Sequence, residues 1–252
     1  TFGYKPERPI LRNISFVAEP GQTIALVGPT GSGKTSITAL AHRFYDVQQG
    51  SISIDGQDIR DVTQESIGHV MGMVLQEPFL FSKSVLENVS YNTENATRED
   101  VVAACKIIGA HDFVMQLDNG YDTTLEQRGS NLSVGQRQLL SFARALVADP
   151  KILVLDEATA NIDSYTERII QEALKKLLEG RTALVIAHRL STIRNSNQII
   201  VVRDGEIVEK GTHDELLAET GLYAQLWQTN YTSFDDIAGN ADSITGAPIS
   251  ST

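Results

Sequence analysis

Eight residues near the N-terminus, Gly28-Pro29-Thr30-Gly31-Ser32-Gly33-Lys34-Thr35, have the composition and spacing of a phosphate-binding loop. Glycines let the backbone turn so that successive N–H groups converge on phosphate oxygens, and a helix starting behind them adds its partial positive charge. In that arrangement Lys34 reaches the β- and γ-phosphates of a nucleoside triphosphate, the Thr35 hydroxyl ligates Mg²⁺, and Ser36 follows in the same first turn. A second group, Ile152-Leu153-Val154-Leu155-Asp156-Glu157, is an apolar run that ends in two carboxylates. Alone, two acids after such a run read as a solvated loop. Beside a phosphate loop they read as chemistry: Asp156 completes the Mg²⁺ shell, and Glu157 is placed to act as general base on the attacking water. In a third group, Asn131-Leu132-Ser133-Val134-Gly135-Gln136-Arg137-Gln138, Ser133 precedes Gln136 by three residues, the spacing of a capping box at a helix start.

These groups need elements to hold them. The run 23–27 reads as a strand leading into the glycine-rich turn, and 34–44 as the helix behind it. Alternation at Ile14-Ser15-Phe16-Val17, together with the strand-and-turn pattern from Ser51 to Asp55-Gly56, predicts a small antiparallel sheet near the N-terminus. Val101, Val102, Cys105 and Ile108 fall on one face of a helix, Gly109 breaks it, and Phe113, Val114 and Leu117 belong to another. The β-like runs 151–155 and 182–187 flank a stretch whose apolar residues Ile169, Ile170, Ala173, Leu174, Leu177 and Leu178 recur at helical spacing. Strand, helix, strand predicts a parallel sheet. Residues 198–203, Asp204-Gly205 and 206–210 form a hairpin pattern, followed by one helix over 213–228. From about Thr229 the chain is polar and aperiodic, and no regular structure is expected there.

Composition narrows the function classes. The chain has 252 residues, 41% of them hydrophobic and 21% charged, enough for a folded α/β domain of sizeable core. A net charge of -11 disfavours a nucleic-acid partner. The lone Cys105 offers neither an intrachain disulfide nor a zinc cluster. No apolar run approaches the ~20 residues of a membrane helix. A start inside the strand-like Thr1-Phe2-Gly3-Tyr4, without Met, suggests a piece of a longer protein.

With the three groups taken as a set, residues 1 to about 230 resemble the ATPase domain of ABC transporters, of the exporter type. The resemblance implies an α/β P-loop NTPase with a RecA-like core, an N-terminal antiparallel β-subdomain and a helical subdomain, over residues 1–230, with 231–252 as a polar tail. It implies ATP and Mg²⁺ as cofactors. It also implies that the Ser133 hydroxyl, the Gly135 amide and Gln136 meet the γ-phosphate of ATP held on the loop of a second nucleotide-binding domain. Each nucleotide would then lie between two domains. By the same resemblance Tyr4 stacks on adenine, Gln76 touches Mg²⁺ or water and senses the membrane domain, and His188 contacts the γ-phosphate. Asp163 signals across the dimer, and residues 124–129 meet the coupling helices. The implied activity is ATP hydrolysis powering substrate export, at the cytoplasmic face of a membrane, together with a transmembrane domain. Val134, Ala160-Asn161 and Glu126-Gln127 depart from the commoner Gly, Ser-Ala and Gly-Glu, which tilts the expectation towards a heterodimer over a homodimer. An ABC-type ATPase of chromosome maintenance would place a long coiled coil between loop and signature. Here only about a hundred residues separate Lys34 from Ser133, without sustained heptads. A non-catalytic regulatory module would be expected to lack Glu157 or His188, and both are present.

Overall fold

Side chains in β1 (Thr23–Val27) alternate: Ile24 and Leu26 join one buried cluster, Ala25 and Val27 another. The same division runs through the sheet to which β1 belongs, because successive residues of a strand face opposite sides. In the computed structural model, which describes residues 1–5, 7–91, 93–157, 163–187 and 189–229, the sheet has six strands. Besides β1 these are β4 (Met71–Val74), β5 (Ile152–Asp156), β6 (Thr182–Ile186), β7 (Gln198–Arg203) and β8 (Glu206–Gly211), in the order β4-β5-β6-β1-β7-β8. All neighbours are parallel except β7 and β8, the expected hairpin. Strands buried on both faces read as continuous apolar runs, as Leu153-Val154-Leu155 does.

Helices cover both faces. On one side, α1 (Lys34–Ala41) and α2 (Gln64–Val70) pack with Ile24, Leu26, Val154, Ile186 and Ile200. The larger core on the other side takes α3 (Val85–Val89), α4 (Arg98–Ile108), α5 (His111–Met115), α6 (Val134–Ala148) and α7 (Ser164–Leu178). Each Leu, Ile or Val buried this way contributes ~1.5–3 kcal/mol. Among the described residues four helices start on capping boxes, at Ser84, Thr97 and Ser133 and at Thr212 before α9 (His213–Ala218). Gly109, left-handed at φ 82°, ends α4 as expected.

The structure corrects three expectations. Ile14 to Val17 joins no strand: Ile14 and Phe16 pack against the core while Val17 is exposed, so their alternation records packing without a ladder partner. The antiparallel β-region is accordingly small, a hairpin of β2 (Ser53–Ile54) and β3 (Gln57–Asp58), with single bridges at Phe2–Leu11 and Lys5–Arg8. Secondly, α1 stops at Ala41 rather than Phe44, because Arg43 turns left-handed (φ 54°) to place its guanidinium on the Ile59 and Val62 carbonyls. Thirdly, the helix expected over 213–228 is two pieces, α9 and a helical stretch at 222–229. Thr220 is left-handed, and the Glu209 carboxylate on β8 accepts the N–H groups of Leu222 and Tyr223, capping the second piece. No helix among the described residues is long and apolar enough to cross a membrane.

Candidate functional site

Parallel strands discharge their C-terminal ends at one edge of the sheet, and that edge gathers the groups picked out above. Leu26 pairs with Ile186, Ile186 with Asp156, and Val74 with Leu155. The glycine-rich loop after β1, the carboxylates ending β5 and Gln76 beyond β4 therefore emerge at the same end of the sheet, with β6 between β1 and β5. His188, just past β6, lies outside the described residues, as do Ala160, Asn161 and the tail 231–252.

The loop is shaped by its surroundings. Gly28 has φ 150°, and a Cβ there would collide with the Val202 carbonyl oxygen of β7. Gly33 (φ 109°) stands at the N-cap of α1 without any side-chain cap, so the first-turn N–H groups face outward unblocked by the chain's own side chains. Pro29, Thr30 and Gly31 form the exposed rim, Ser32 is buried, and the Ser32 carbonyl accepts the Gly205 N–H at 3.0 Å. The Lys34 ammonium is buried and donates to the Gly28 and Pro29 carbonyls at 2.8 and 2.9 Å. Burial pushes its pKa down, and the charge of Asp156 acts in the opposite sense. Thr35 is exposed beside it. Tyr4 reaches this turn from the N-terminal segment: its hydroxyl lies 3.2 Å from Ser36 Oγ, and its half-exposed ring meets Phe2 and Tyr45 edge-on at 5.1 Å.

These residues fit a magnesium nucleotide. An uncapped helix start and a buried ammonium suit phosphate oxygens. Thr35, Gln76 and Asp156 offer the oxygen ligands a hard cation takes. Among the described residues no group of three or more His, Cys, Asp or Glu gathers to hold a metal, so these ligands would share the ion with phosphate.

Glu157 is buried and held by partners that sequence reading did not find. The Arg189 backbone N–H donates to its Oε2 at 3.0 Å, and the Thr192 hydroxyl on α8 (Leu190–Arg194) donates to its Oε1 at 2.5 Å. The Arg189 guanidinium in turn lies 3.4 Å from Glu167 on α7 and 3.5 Å from Gln138 on α6. Arg189 and Thr192 stand some thirty residues beyond Glu157 in a short polar stretch without periodicity. Only the juxtaposition of β5 and β6 identifies them.

Ser133 forms the expected cap: its Oγ accepts the Gln136 N–H at 3.2 Å, and Gln136 Oε1 accepts the Ser133 N–H at 2.9 Å. Among the described residues no hydrogen bond joins Ser133, Gly135 or Gln136 to the phosphate loop. Gly135 has a packing reason of its own, since a Cβ there would overlap the Thr166 methyl on α7. Asp163 caps α7 by accepting the Thr166 N–H at 3.0 Å, which holds its carboxyl below the usual range. Glu126 accepts from Ser130 Oγ at 2.8 Å, and Leu125 N–H donates to the Lys83 carbonyl. That bond sets segment 124–129 beside the loop that follows Gln76.

A glycine-rich loop between a parallel strand and an uncapped helix, with two carboxylates ending a strand of the same sheet one place removed, defines a P-loop NTPase. The sequence profile of ABC transporters matches residues 11–160, and the chain belongs to that family as its ATP-binding domain. The ABC transporter ATP-binding protein YfiC of Bacillus subtilis is 49% identical over 231 residues, covering 92% of this chain and 38% of its own length. The probable multidrug resistance ABC transporter ATP-binding/permease protein YheH of the same organism is 50% identical over 228 residues, 90% of this chain and 34% of that protein. Among solved structures, a bacterial Atm1-family ABC exporter with ATP bound superposes with a TM-score of 0.85 at 43% identity, over 92% of this chain and 40% of that one. The chain thus spans well under half the length of these relatives.

Proposed function

We propose that this domain hydrolyses ATP with Mg²⁺ and that hydrolysis drives export of a substrate through a membrane-spanning domain, from the cytoplasmic face. The observation that carries the reading is the convergence of the loop, Gln76, Asp156 and Glu157 at one sheet edge, with Lys34 buried within it. Relatives that are ATP-binding/permease proteins, and an exporter as structural neighbour, support the transport assignment.

In this reading residues 1–230 are the nucleotide-binding domain. The first-turn N–H groups of α1 and the Lys34 ammonium bind the phosphates, and the Tyr4 ring carries the adenine. Mg²⁺, held by Thr35, Gln76 and Asp156, supplies charge neutralisation at the β- and γ-phosphates when bound. Glu157 takes the proton of the attacking water, and His188 contacts the γ-phosphate. Ser133, Gly135 and Gln136 serve the nucleotide of a second such domain, a heterodimer being favoured by Val134, Ala160-Asn161 and Glu126-Gln127. The surface around Gln76, with exposed Leu75 and Phe79 and the neighbouring segment 124–129, meets the transmembrane domain.

Glu157→Gln tests the central assignment. Turnover at saturating ATP is expected to fall about 10² to 10⁴-fold, with ATP affinity kept. Turnover at the parental rate overturns Glu157 as base.

A further inference from the structure

We propose that Thr192 is a positioning residue for Glu157, orienting through its hydroxyl the carboxylate that takes the proton from water. The inference rests on the assignment of Glu157 as base. Each carboxylate oxygen carries a donor, Thr192 Oγ1 at 2.5 Å and the Arg189 N–H at 3.0 Å, and both donors come from one four-residue span. These two donors fix the plane of the carboxylate, and a base held in one plane is aimed in one direction. Glu157 and Thr192 are 3% and 7% exposed, which keeps bulk water from competing for these bonds.

The span is itself locked on several sides. The Arg189 side chain lies between Glu167 of α7 and Gln138 of α6. Ser191 Oγ donates to Gln171 of α7, whose own amide donates to Glu167 at 2.9 Å. Ser196 Oγ donates to the Thr192 carbonyl at 2.6 Å. Threonine is stiff at χ1, so its hydroxyl direction is set by packing rather than by the carboxylate it serves. A base oriented by a third, immobilised group is the arrangement that activates water or a nucleophile efficiently. A threonine serving only its helix would turn its hydroxyl to the carbonyl one turn back; Thr192 turns its hydroxyl to Glu157 instead.

The test uses the assembled, membrane-reconstituted protein. Thr192→Val is nearly isosteric and deletes the donor. Its kcat for ATP hydrolysis is expected to fall about 10-fold or more, a part of the 10² to 10⁴ a placed base contributes, with KM for ATP within about 2-fold. Thr192→Ser is expected to regain most of the loss. In the Glu157→Gln background, adding Thr192→Val is expected to change residual turnover by less than about 2-fold, because Thr192 acts through the base. An unchanged kcat in Thr192→Val, a loss that serine does not regain, or a full additional loss in the Glu157→Gln background each overturns the proposal. If valine prevents folding, Thr192→Ala against Thr192→Ser gives the same comparison. Parental turnover in Glu157→Gln alone refutes the base assignment, a separate failure from an inert Thr192.

Discussion

Lys34 ties the shape of the loop to its charge. Its ammonium holds the Gly28 and Pro29 carbonyls, so the side chain that would meet phosphate also braces the turn that presents the backbone N–H groups. Burial acts in the same direction on His42, behind the same helix. Burial lowers its pKa from 6.5 to about 4, a backbone bond with Gly72 partly opposing, and the ring stacks on Phe44 at 5.5 Å. The folded chain therefore keeps this imidazole neutral where the unfolded chain protonates it. Stability from His42 is fully present above the unfolded pKa of 6.5 and is lost as pH falls towards the folded value of about 4. Urea unfolding at pH 7 and pH 5 should show a loss, of which about 2 kcal/mol disappears in His42→Gln. An equal pH dependence in the two proteins would contradict the buried neutral state.

At the scale of elements, the segment between β4 and α4 is organised around one buried amide. Asn88 on α3 is fully buried; its Oδ1 accepts the Phe81 N–H at 2.8 Å, and its Nδ2 donates to the Phe81, Lys83 and Ser84 carbonyls. Arg144 of α6 adds bonds to the Asn88 and Phe79 carbonyls and lies 5.8 Å from the Phe81 and Tyr91 rings. The loop carrying Gln76 is thereby fastened to α6, the helix that begins at Ser133. Asn88→Ala strands several buried groups at once and should cost about 3 kcal/mol by denaturant titration. A loss below about 1 kcal/mol would mean the loop has other anchors of equal weight.

For the whole molecule, the loop edge and the start of α6 are separate places in one chain, and the proposed site needs both. Ser133 is exposed, and its cap bonds close within its own turn. Ser133→Arg should leave ATP binding to Lys34 and the loop within about 3-fold, while charge and bulk at the cap block pairing of two domains around nucleotide. Light scattering in the Glu157→Gln background with Mg-ATP checks this: the parent is expected to double in mass, and the arginine variant to stay single. A variant that still dimerises removes α6 from the interface.

The phosphate loop, the carboxylate pair and the Ser133–Gln136 cap were legible in the sequence, because each depends on residues close together along the chain whose spacing encodes local backbone geometry. The parallel strands 152–156 and 182–186 and the α4 stop at Gly109 were legible for the same reason. Period alone misled at Ile14 to Val17, where alternation reflects burial without a strand partner, and at 213–228, where Glu209 on another strand caps a new helix start. Only the tertiary fold placed Arg189 and Thr192 on Glu157, set Thr166 against Gly135, and joined Asn88 to Arg144. Contacts between residues far apart in the chain leave no local spacing to read; they exist once β5 lies beside β6 and α6 crosses α7.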